Sequence, residues 1–448
     1  MSTTKGSIDR LGDEIREQSI AISDALLDEL QNYRTSHKEA IASTFTSLCS
    51  CCKRISPTSI VTFRIKRIQS IIGKLERYPE MRFSRMWDIG GCRCIVKNED
   101  SVYKLKSLIE GEQSLEVVKE YDYIKHPQQD GYKSIHLFIK HRCSDKIIEV
   151  QLRSIENHNW ATLVEISDLL FDSKLKEYGQ DKKLLEFHRL LSNPNNLNIK
   201  DKYLISKIIR EYKYFEKLSE VFSRNYLKVR KQWAENETKI THKYFLIEVA
   251  KDNVPIIESF SNFQQAEETY FNIYKTRQNA NIVLTHLQNT NYHQISMAYS
   301  NYFLTFHSFL FECLEILESL IVDSLKTNKH ILFYKVCHLY NSLLFSHISN
   351  LVSEINEVYE NKSNQSKGKN KKWKNKKKET EWFGDIEKQV KQLNQGSLRF
   401  QVSVRQNIKS GNFVTKNINT LIVRLVNRTY RKKIQKVLLS SKYIHQKK

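Results

Sequence analysis

Between Asp88 and Arg153 two short apolar runs each carry one acidic residue, with a Gly-Tyr turn between them, and few folds accommodate that pattern. The first run, Asp88-Ile89-Gly90-Gly91-Cys92-Arg93-Cys94-Ile95-Val96, places glycines that permit close backbone approach ahead of a β-branched end. The second, Ile147-Ile148-Glu149-Val150-Gln151-Leu152-Arg153, alternates with period two and sends Glu149, Gln151 and Arg153 to one face. That face is too polar for a core. Between the runs, Asp122-Tyr123-Ile124-Lys125-His126-Pro127 leads to Asp130-Gly131-Tyr132-Lys133-Ser134-Ile135-His136 and the strand Leu137-Phe138-Ile139. A tyrosine beside a glycine at such a turn presents a ring face, which is what a base needs for stacking.

Upstream, the spacing from Arg64 to Arg77 predicts a helix. At about 100° per residue, Ile65, Ile68, Ile71, Ile72 and Leu75 share one side, and Lys66, Arg67, Ser70, Lys74 and Arg77 the other. One side packs and the other presents cations. Alone, such a face is an ordinary solvated one. Ahead of two acidic strands it reads as a cradle for a polyphosphate, which needs several converging cations in fixed geometry.

Taken in order, these motifs resemble the synthetase domain of RelA/SpoT-type alarmone synthetases over roughly residues 40 to 175. The resemblance implies transfer of the β,γ-pyrophosphate of ATP to a 3′-hydroxyl, that of GDP or GTP giving (p)ppGpp and AMP. A toxic branch of the same family uses the 3′-CCA end of tRNA. By the same resemblance Arg64, Lys66, Ser70, Lys74, Arg93 and Lys125 contact ATP and its phosphates. Asp88 and Glu149 are the catalytic acids and hold Mg²⁺, and Glu149 also activates the 3′-hydroxyl. Tyr132, His136, Gln151 and Arg153 receive the acceptor, and His158 braces the site. Carboxylates holding Mg²⁺ suit in-line phosphoryl chemistry, which gains most from positioning and charge stabilisation. Without that context the acids read as edge-strand carboxylates or partners of Arg93 and Arg153, and Tyr132 as a core residue.

The chain departs from the family at two places. Pro127-Gln128 stands where Pro-Lys is common, and Lys119-Glu120-Tyr121-Asp122 fits neither charge pattern that accompanies GDP or GTP preference. Some 60 residues precede Arg64, with His37 their one histidine, so a His-Asp metal hydrolase domain does not fit there. A catalytically silent binding module is a third reading, and the presence of both acids, the tyrosine and the cations argues against it.

The 448 residues suffice for two or three domains, and the 12 glycines and 5 prolines favour long helices. No signal-peptide core or long apolar span is present, so a soluble cytoplasmic protein without membrane contact is expected. The eight cysteines show no paired Cys-x-x-Cys spacing for zinc and read as reduced thiols, with Cys49-Ser50-Cys51-Cys52 an unexplained cluster.

Charge divides the chain. Residues 1–200 hold 31 Lys+Arg against 28 Asp+Glu, and residues 201–448 hold 41 against 22, or +19 of the total +22. The expected fold class is α+β: a mixed-sheet, nucleotidyltransferase-like synthetase domain with N-terminal helices over 1–190, then a mainly helical half. That half comprises an accessory region over 200–360, a Lys-rich linker over 361–380 and a basic helical tail over 381–448. Within it, Tyr203 to Trp233 reads as helix, residues near 240–290 as a small α+β insert, and Ile295 to Leu351 as a long helical hairpin that buries itself or receives a partner, its aromatics reading as core rather than binding surface. The segment Asn361 to Lys378, with nine lysines, is expected to be a linker or an RNA-touching arm. The tail reads as an amphipathic basic helix for RNA, an acidic protein or the domain itself. The oligomeric state is open.

Overall fold

The computed structural model describes residues 4–18, 22–171, 181–218, 241–249, 255–277, 280–288, 306–366, 393 and 400–440. In chain order the helices are α1 (Lys5–Glu17), α2 (Asp24–Thr35), α3 (Lys38–Ile55), α4 (Ile68–Arg77), α5 (Glu99–Glu110) and α6 (Ile155–Phe171). They continue as α7 (Lys182–Leu191), α8 (Ile199–Glu211), α9 (Phe263–Thr276), α10 (Phe306–Lys326), α11 (His330–Ser366) and α12 (Phe413–Leu439). The strands are β1 (Ile60–Ile65), β2 (Gly90–Val96), β3 (Leu115–Asp122), β4 (Ile135–His141), β5 (Ile147–Ser154), β6 (Tyr244–Val249), β7 (Pro255–Phe260) and β8 (Ile282–Leu287). No described helix is long and apolar enough to cross a membrane.

Two compact units result, residues 1–180 with 225–304, and residues 181–224 with 305–448. The first is α+β. Its sheet runs β3-β4-β5-β2-β1-β8-β6-β7, with β2 and β5 parallel and the other neighbours antiparallel. Alternation gives each central strand one apolar face, and Phe63, Cys92, Cys94, Leu137, Ile148 and Val150 from those faces are buried against Ile41, Phe45 and Leu48 of α3 and Leu105 and Ile109 of α5. Asn98 caps α5 by accepting from Ser101 N–H, with Glu99 and Asp100 in its first turn. A Cβ at Gly90 would lie 2.7 Å from Ile41 Cγ1 and 2.8 Å from Ile148 Cδ1, so glycine there lets α3 close on the sheet. Cys49 and Cys52 of α3 meet Cys92 and Cys94 of β2 in the same core, and burial raises the Cys49 and Cys92 thiols. The sequence cluster is thus a packed seam of thiols.

Three expectations are corrected. Arg64 lies on β1, not on a helix: the β-branched run Ile60-Val61-Thr62 precedes it, and α4 starts only at Ile68. The residues near 240–290 are no separate element of the second half, because β8 pairs directly with β1, Ile60 opposite Leu287 and Phe63 opposite Leu284. The first unit therefore takes in 225–304 and releases residues after 180 to the second. Finally, the helix predicted from Tyr203 starts at Ile199 and stops at Glu211, where Lys213 adopts a left-handed φ of 47°; residues 219–233 lie outside the described residues.

The second unit is helical. Phe333, Val336 and Tyr340 of α11 are buried with Leu317, Leu320 and Ile321 of α10, the hairpin expected from the sequence. Phe309 is buried and stacks on Phe215 at 5.3 Å, whereas Tyr299, Tyr302 and Phe303 lie outside the described residues. α12 packs on α11 through Val426 and Tyr430, the latter 5.2 Å from the His338 ring. Helix α11 extends through Asn361–Ser366, and residues 367–378 of the Lys-rich segment are not described.

Candidate active site

The sheet face opposite α3 and α5 is polar because four neighbouring strands place alternate residues there in register. Arg64 of β1 lies opposite Gly91 of β2, Gly91 pairs with Glu149 of β5, Arg93 with Gln151, and Gln151 with His136 of β4. The expected alternation of Glu149, Gln151 and Arg153 is thus observed. Gly91 leaves room at the centre of this face: the nearest atoms to a Cβ there would be the Glu149 and Arg64 carbonyl oxygens, at 3.8 and 3.9 Å.

At one end, Asp88 precedes β2 and receives both lysines of the upstream motif. Lys66 Nζ lies 2.7 Å and Lys74 Nζ 2.9 Å from its Oδ2. Lys66 arrives from the β1–α4 link, whose backbone donates to the Ile89 carbonyl at 2.8 Å, and Lys74 from the second turn of α4. Burial works to raise the Asp88 pKa, but the two ammonium groups outweigh it and hold the carboxyl down at about 2. Its other oxygen, Oδ1, is buried without a hydrogen-bond partner. Burial lowers the Lys66 pKa against the pull of Asp88.

Glu149 is held in a second network. Its Oε1 lies 3.0 Å from His136 Nδ1, and its Oε2 accepts from Gln151 Nε2 at 3.1 Å. Burial pushes Glu149 up, yet the His136 contacts bring it below the usual carboxylate value; Asp88 acts on it as a neighbouring negative charge. His136 reaches onward through Nε2 to the Tyr132 hydroxyl at 2.7 Å, which also accepts from Arg153 Nη2 at 2.8 Å. Although burial opposes it, Arg153 and His136 depress the Tyr132 phenol to about 8. Burial likewise opposes the rise of His136, which Tyr132 and Glu149 nonetheless carry above the ordinary imidazole value. The Arg153 guanidinium lies 5.1 Å from the Tyr132 ring centroid. The turn is set by Gly131 at φ 94°, by Asp130 accepting from Tyr132 N–H at 2.9 Å, and by Gln128, whose N–H donates to the Tyr132 carbonyl at 3.2 Å. Gln128 therefore serves the loop with its backbone.

Gln151 also joins the cations: its Oε1 accepts from Arg93 Nε at 3.3 Å and Arg153 Nη2 at 2.9 Å. Burial, then repulsion from Arg153 and Arg64, lowers the Arg93 guanidinium to about 9. Among the described residues no ion pair joins Arg64, Arg93 or Arg153 to a carboxylate. Such a surplus of clustered cations, with Arg93 and Arg153 withdrawn from solvent, favours an anion. Ser70 is half-buried in the first turn of α4. Lys125 goes elsewhere: its Nζ is 3.7 Å from Asp122 and 5.3 Å from the ring centroid of Tyr103 on α5. His158 is buried in α6.

The sequence reading missed the residues that hold the Lys66 link. Arg34 of α2, fully buried, donates through Nε to the Lys66 carbonyl at 2.9 Å and lies over the Tyr274 ring of α9. The Tyr270 hydroxyl accepts the Ile65 N–H at 2.8 Å. The one available signal was the buried-type arginine amid the apolar face of α2, Leu26, Leu30 and Tyr33.

Mg²⁺ fits this donor set. Among the described residues no group of three or more His, Cys, Asp or Glu is arranged for a metal. Asp88 and Glu149 supply two ionised carboxylates, one with a buried oxygen lacking a partner. Two hard oxygens completed by phosphate and water are the usual protein share for Mg²⁺.

A mixed sheet with acids and cations converging on one polar face suits an anionic, phosphate-bearing ligand. Residues 63–171 match the family described as the region found in RelA / SpoT proteins, so the chain carries a RelA/SpoT-type domain. Two Bacillus subtilis (strain 168) relatives are GTP pyrophosphokinase YjbM, 27% identical over 130 residues, and GTP pyrophosphokinase YwaC, 31% identical over 120. These matches cover 27% and 24% of this chain and 62% and 57% of the relatives, less than two thirds of either. Among solved structures, the small alarmone synthetase 1 of Bacillus subtilis bound to its product pppGpp is similar at 20% identity and a TM-score of 0.33, over 41% of this chain and 95% of that one.

Proposed function

We propose that the first unit is an ATP pyrophosphokinase that transfers the β,γ-pyrophosphate of ATP to the 3′-hydroxyl of GDP or GTP, yielding AMP and (p)ppGpp in the cytoplasm. The observation that carries this reading is the convergence of two ionised carboxylates, Asp88 and Glu149, with Lys66, Lys74, Arg64, Arg93 and Arg153 on one sheet face. The GTP pyrophosphokinase relatives support the choice of reaction.

In this reading the arginines and lysines bind the triphosphate and lower the cost of its charge. Glu149, fixed by His136 and Gln151, accepts the 3′-hydroxyl proton as that oxygen bonds to the β-phosphorus. The bond from that phosphorus to the α,β-bridging oxygen breaks, and the oxygen leaves with AMP. Tyr132 stacks on the acceptor base while its hydroxyl ties the ring to Arg153 and His136. Asp88 and Glu149 would hold Mg²⁺, which when bound neutralises phosphate charge.

The test is purified full-length protein with Mg²⁺ and γ-³²P-labelled ATP, offered GDP, GTP and deacylated tRNA in parallel. Label in ppGpp or pppGpp is the expected result. Label on tRNA would move the acceptor to the 3′-CCA end, and transfer to none would overturn the reading in favour of a silent module.

A further inference from the structure

The chain has no aspartate or glutamate after Glu387, whereas residues 388–448 contain fifteen lysines and arginines. The fold does not spread this charge evenly. A groove of about 880 Å³ in the second unit lies between helical residues 400–409 and α12. Arg405 and Lys409 line one side of it. Lys416, Arg424, Arg428, Arg431 and Lys432 line the other, along α12. All seven are exposed, and among the described residues no carboxylate lines the groove and none of the seven forms an ion pair.

Such a surface is self-repelling, and the helix does not need it: α12 is anchored by a different face, through buried Asn419, Val426 and Tyr430. The charge is therefore left facing solvent, where a polyanion would be drawn to it. Its extent points to a chain of phosphates rather than one nucleotide. Lys416 to Lys432 span about 24 Å at the helical rise, roughly seven base-pair steps of a duplex. Four of the seven cations are arginines, whose forked donors match phosphate oxygens. Among the described residues no aromatic side chain lines the groove, so they offer the phosphate backbone a surface but no platform for stacking splayed bases.

We propose that this groove binds the phosphodiester backbone of a nucleic-acid duplex. An anionic bilayer is the competing ligand, since Val414, Ile418, Leu421 and Leu425 form an exposed apolar stripe on α12. A flat bilayer fits this geometry less well. The cations line a concavity between two helices, and on α12 their mean direction lies about 85° round the helix from the stripe, with Lys432 alone falling within it.

The experiment is fluorescence anisotropy of the full-length protein with labelled 20-base-pair RNA and DNA duplexes between 50 and 200 mM salt. Phosphatidylserine vesicles serve as a separate arm. Wild type is expected to bind duplex with a steep linear fall of log affinity against log salt. The Arg424→Gln/Arg428→Gln/Arg431→Gln variant should bind more than about tenfold more weakly at 100 mM salt and flatten the slope by about 2.7, three phosphate contacts at 0.9 each. Lys53→Gln/Lys97→Gln/Lys104→Gln removes the same charge from exposed positions of the first unit and should leave the slope unchanged. Circular dichroism checks folding, and Lys409→Gln/Lys416→Gln, expected to flatten the slope by about 1.8, carries the same test should the arginine variant fail to fold. Equal slopes for wild type and groove variants, an equal loss in the first-unit control, or binding to vesicles but not to duplex would each overturn the proposal. Preference between RNA and DNA would identify the duplex form read.

Discussion

The His136 imidazole bridges the acid and the tyrosine of the site, with Nδ1 3.0 Å from Glu149 Oε1 and Nε2 2.7 Å from the Tyr132 hydroxyl. This ties the Glu149 charge to an imidazole whose pKa is raised above its ordinary value, and the coupling has a definite pH window. His136 rises above its ordinary 6.5, so its stabilising share is complete below about 6.5 and is lost as pH climbs through the folded value. Glu149 falls below its ordinary 4.5, so its share is complete above about 4.5 and is lost as pH drops through the folded value. His136→Gln should therefore cost most between about pH 4.5 and 6.5, on the order of 1.5–3 kcal/mol for a charged hydrogen bond, and less at pH 9. Urea unfolding of both proteins at pH 5.5 and 9 checks this; an equal loss at both would sever His136 from Glu149.

The two adjacent glycines should fail in different ways. A methyl at Gly90 meets Ile41 and Ile148 below 3.0 Å, so Gly90→Ala is expected to destabilise by about 1–3 kcal/mol through overpacking. Gly91 has no neighbour closer than 3.8 Å, and its side chain would enter the space between Arg64 and Glu149. Gly91→Val should leave the melting temperature nearly unchanged while ATP-to-AMP turnover drops at least about tenfold, the effect expected of a small misplacement of reacting groups. Thermal melts run beside single-substrate kinetics separate the two, and full turnover in Gly91→Val would place the substrate elsewhere.

The polar face was legible because it is a local property. Period-two alternation in β2, β4 and β5 sends Arg93, His136, Glu149, Gln151 and Arg153 to one side whatever the rest of the chain does. What supports it was not legible. β8 joins β1 from more than two hundred residues away, and the Tyr270 hydroxyl finds Ile65 N–H across the same gap. Such pairings leave no periodic trace, so residues 244–287 read only as strands and a helix without a home. The misplacement of Arg64 has another origin. Ile65 happens to sit on the helical period of Ile68, Ile71 and Leu75, and that coincidence hid the two-residue link between β1 and α4.

Asp88 offers a measurement at the opposite end of the site. Its folded pKa of about 2 against an ordinary 3.8 corresponds to about 2 kcal/mol of stabilisation at neutral pH. That share is present above pH 3.8 and lost as pH falls through 2. Burial depresses Lys66 at the same time, so the pair as a whole contributes less than the carboxylate alone. Asp88→Asn should therefore unfold more easily at pH 7 by about 1–2 kcal/mol, approach wild type below pH 3, and lose pyrophosphate transfer. A constant stability gap down to pH 2 would deny the ion pairs their role.

Tyr132 is the most direct spectroscopic handle on the site. Burial alone would push its phenol up, and chiefly the Arg153 and His136 contacts bring it down to about 8. Ultraviolet titration at the phenolate band should show one tyrosine ionising near pH 8, ahead of the ordinary value of 10, and Tyr132→Phe should abolish that step. Arg153→Gln removes the charge while keeping a polar group, so the same step should move back upward in that variant. The ring has a separate role. Tyr132→Ala should raise the KM for the acceptor more than that for ATP, since stacking on an aromatic ring is worth about 1–3 kcal/mol per base. Tyr132→Phe keeps the ring and should retain most acceptor affinity. An acceptor KM unchanged in Tyr132→Ala would remove the ring from the acceptor site even if the early phenol titration were present, because hydroxyl and ring are tested independently.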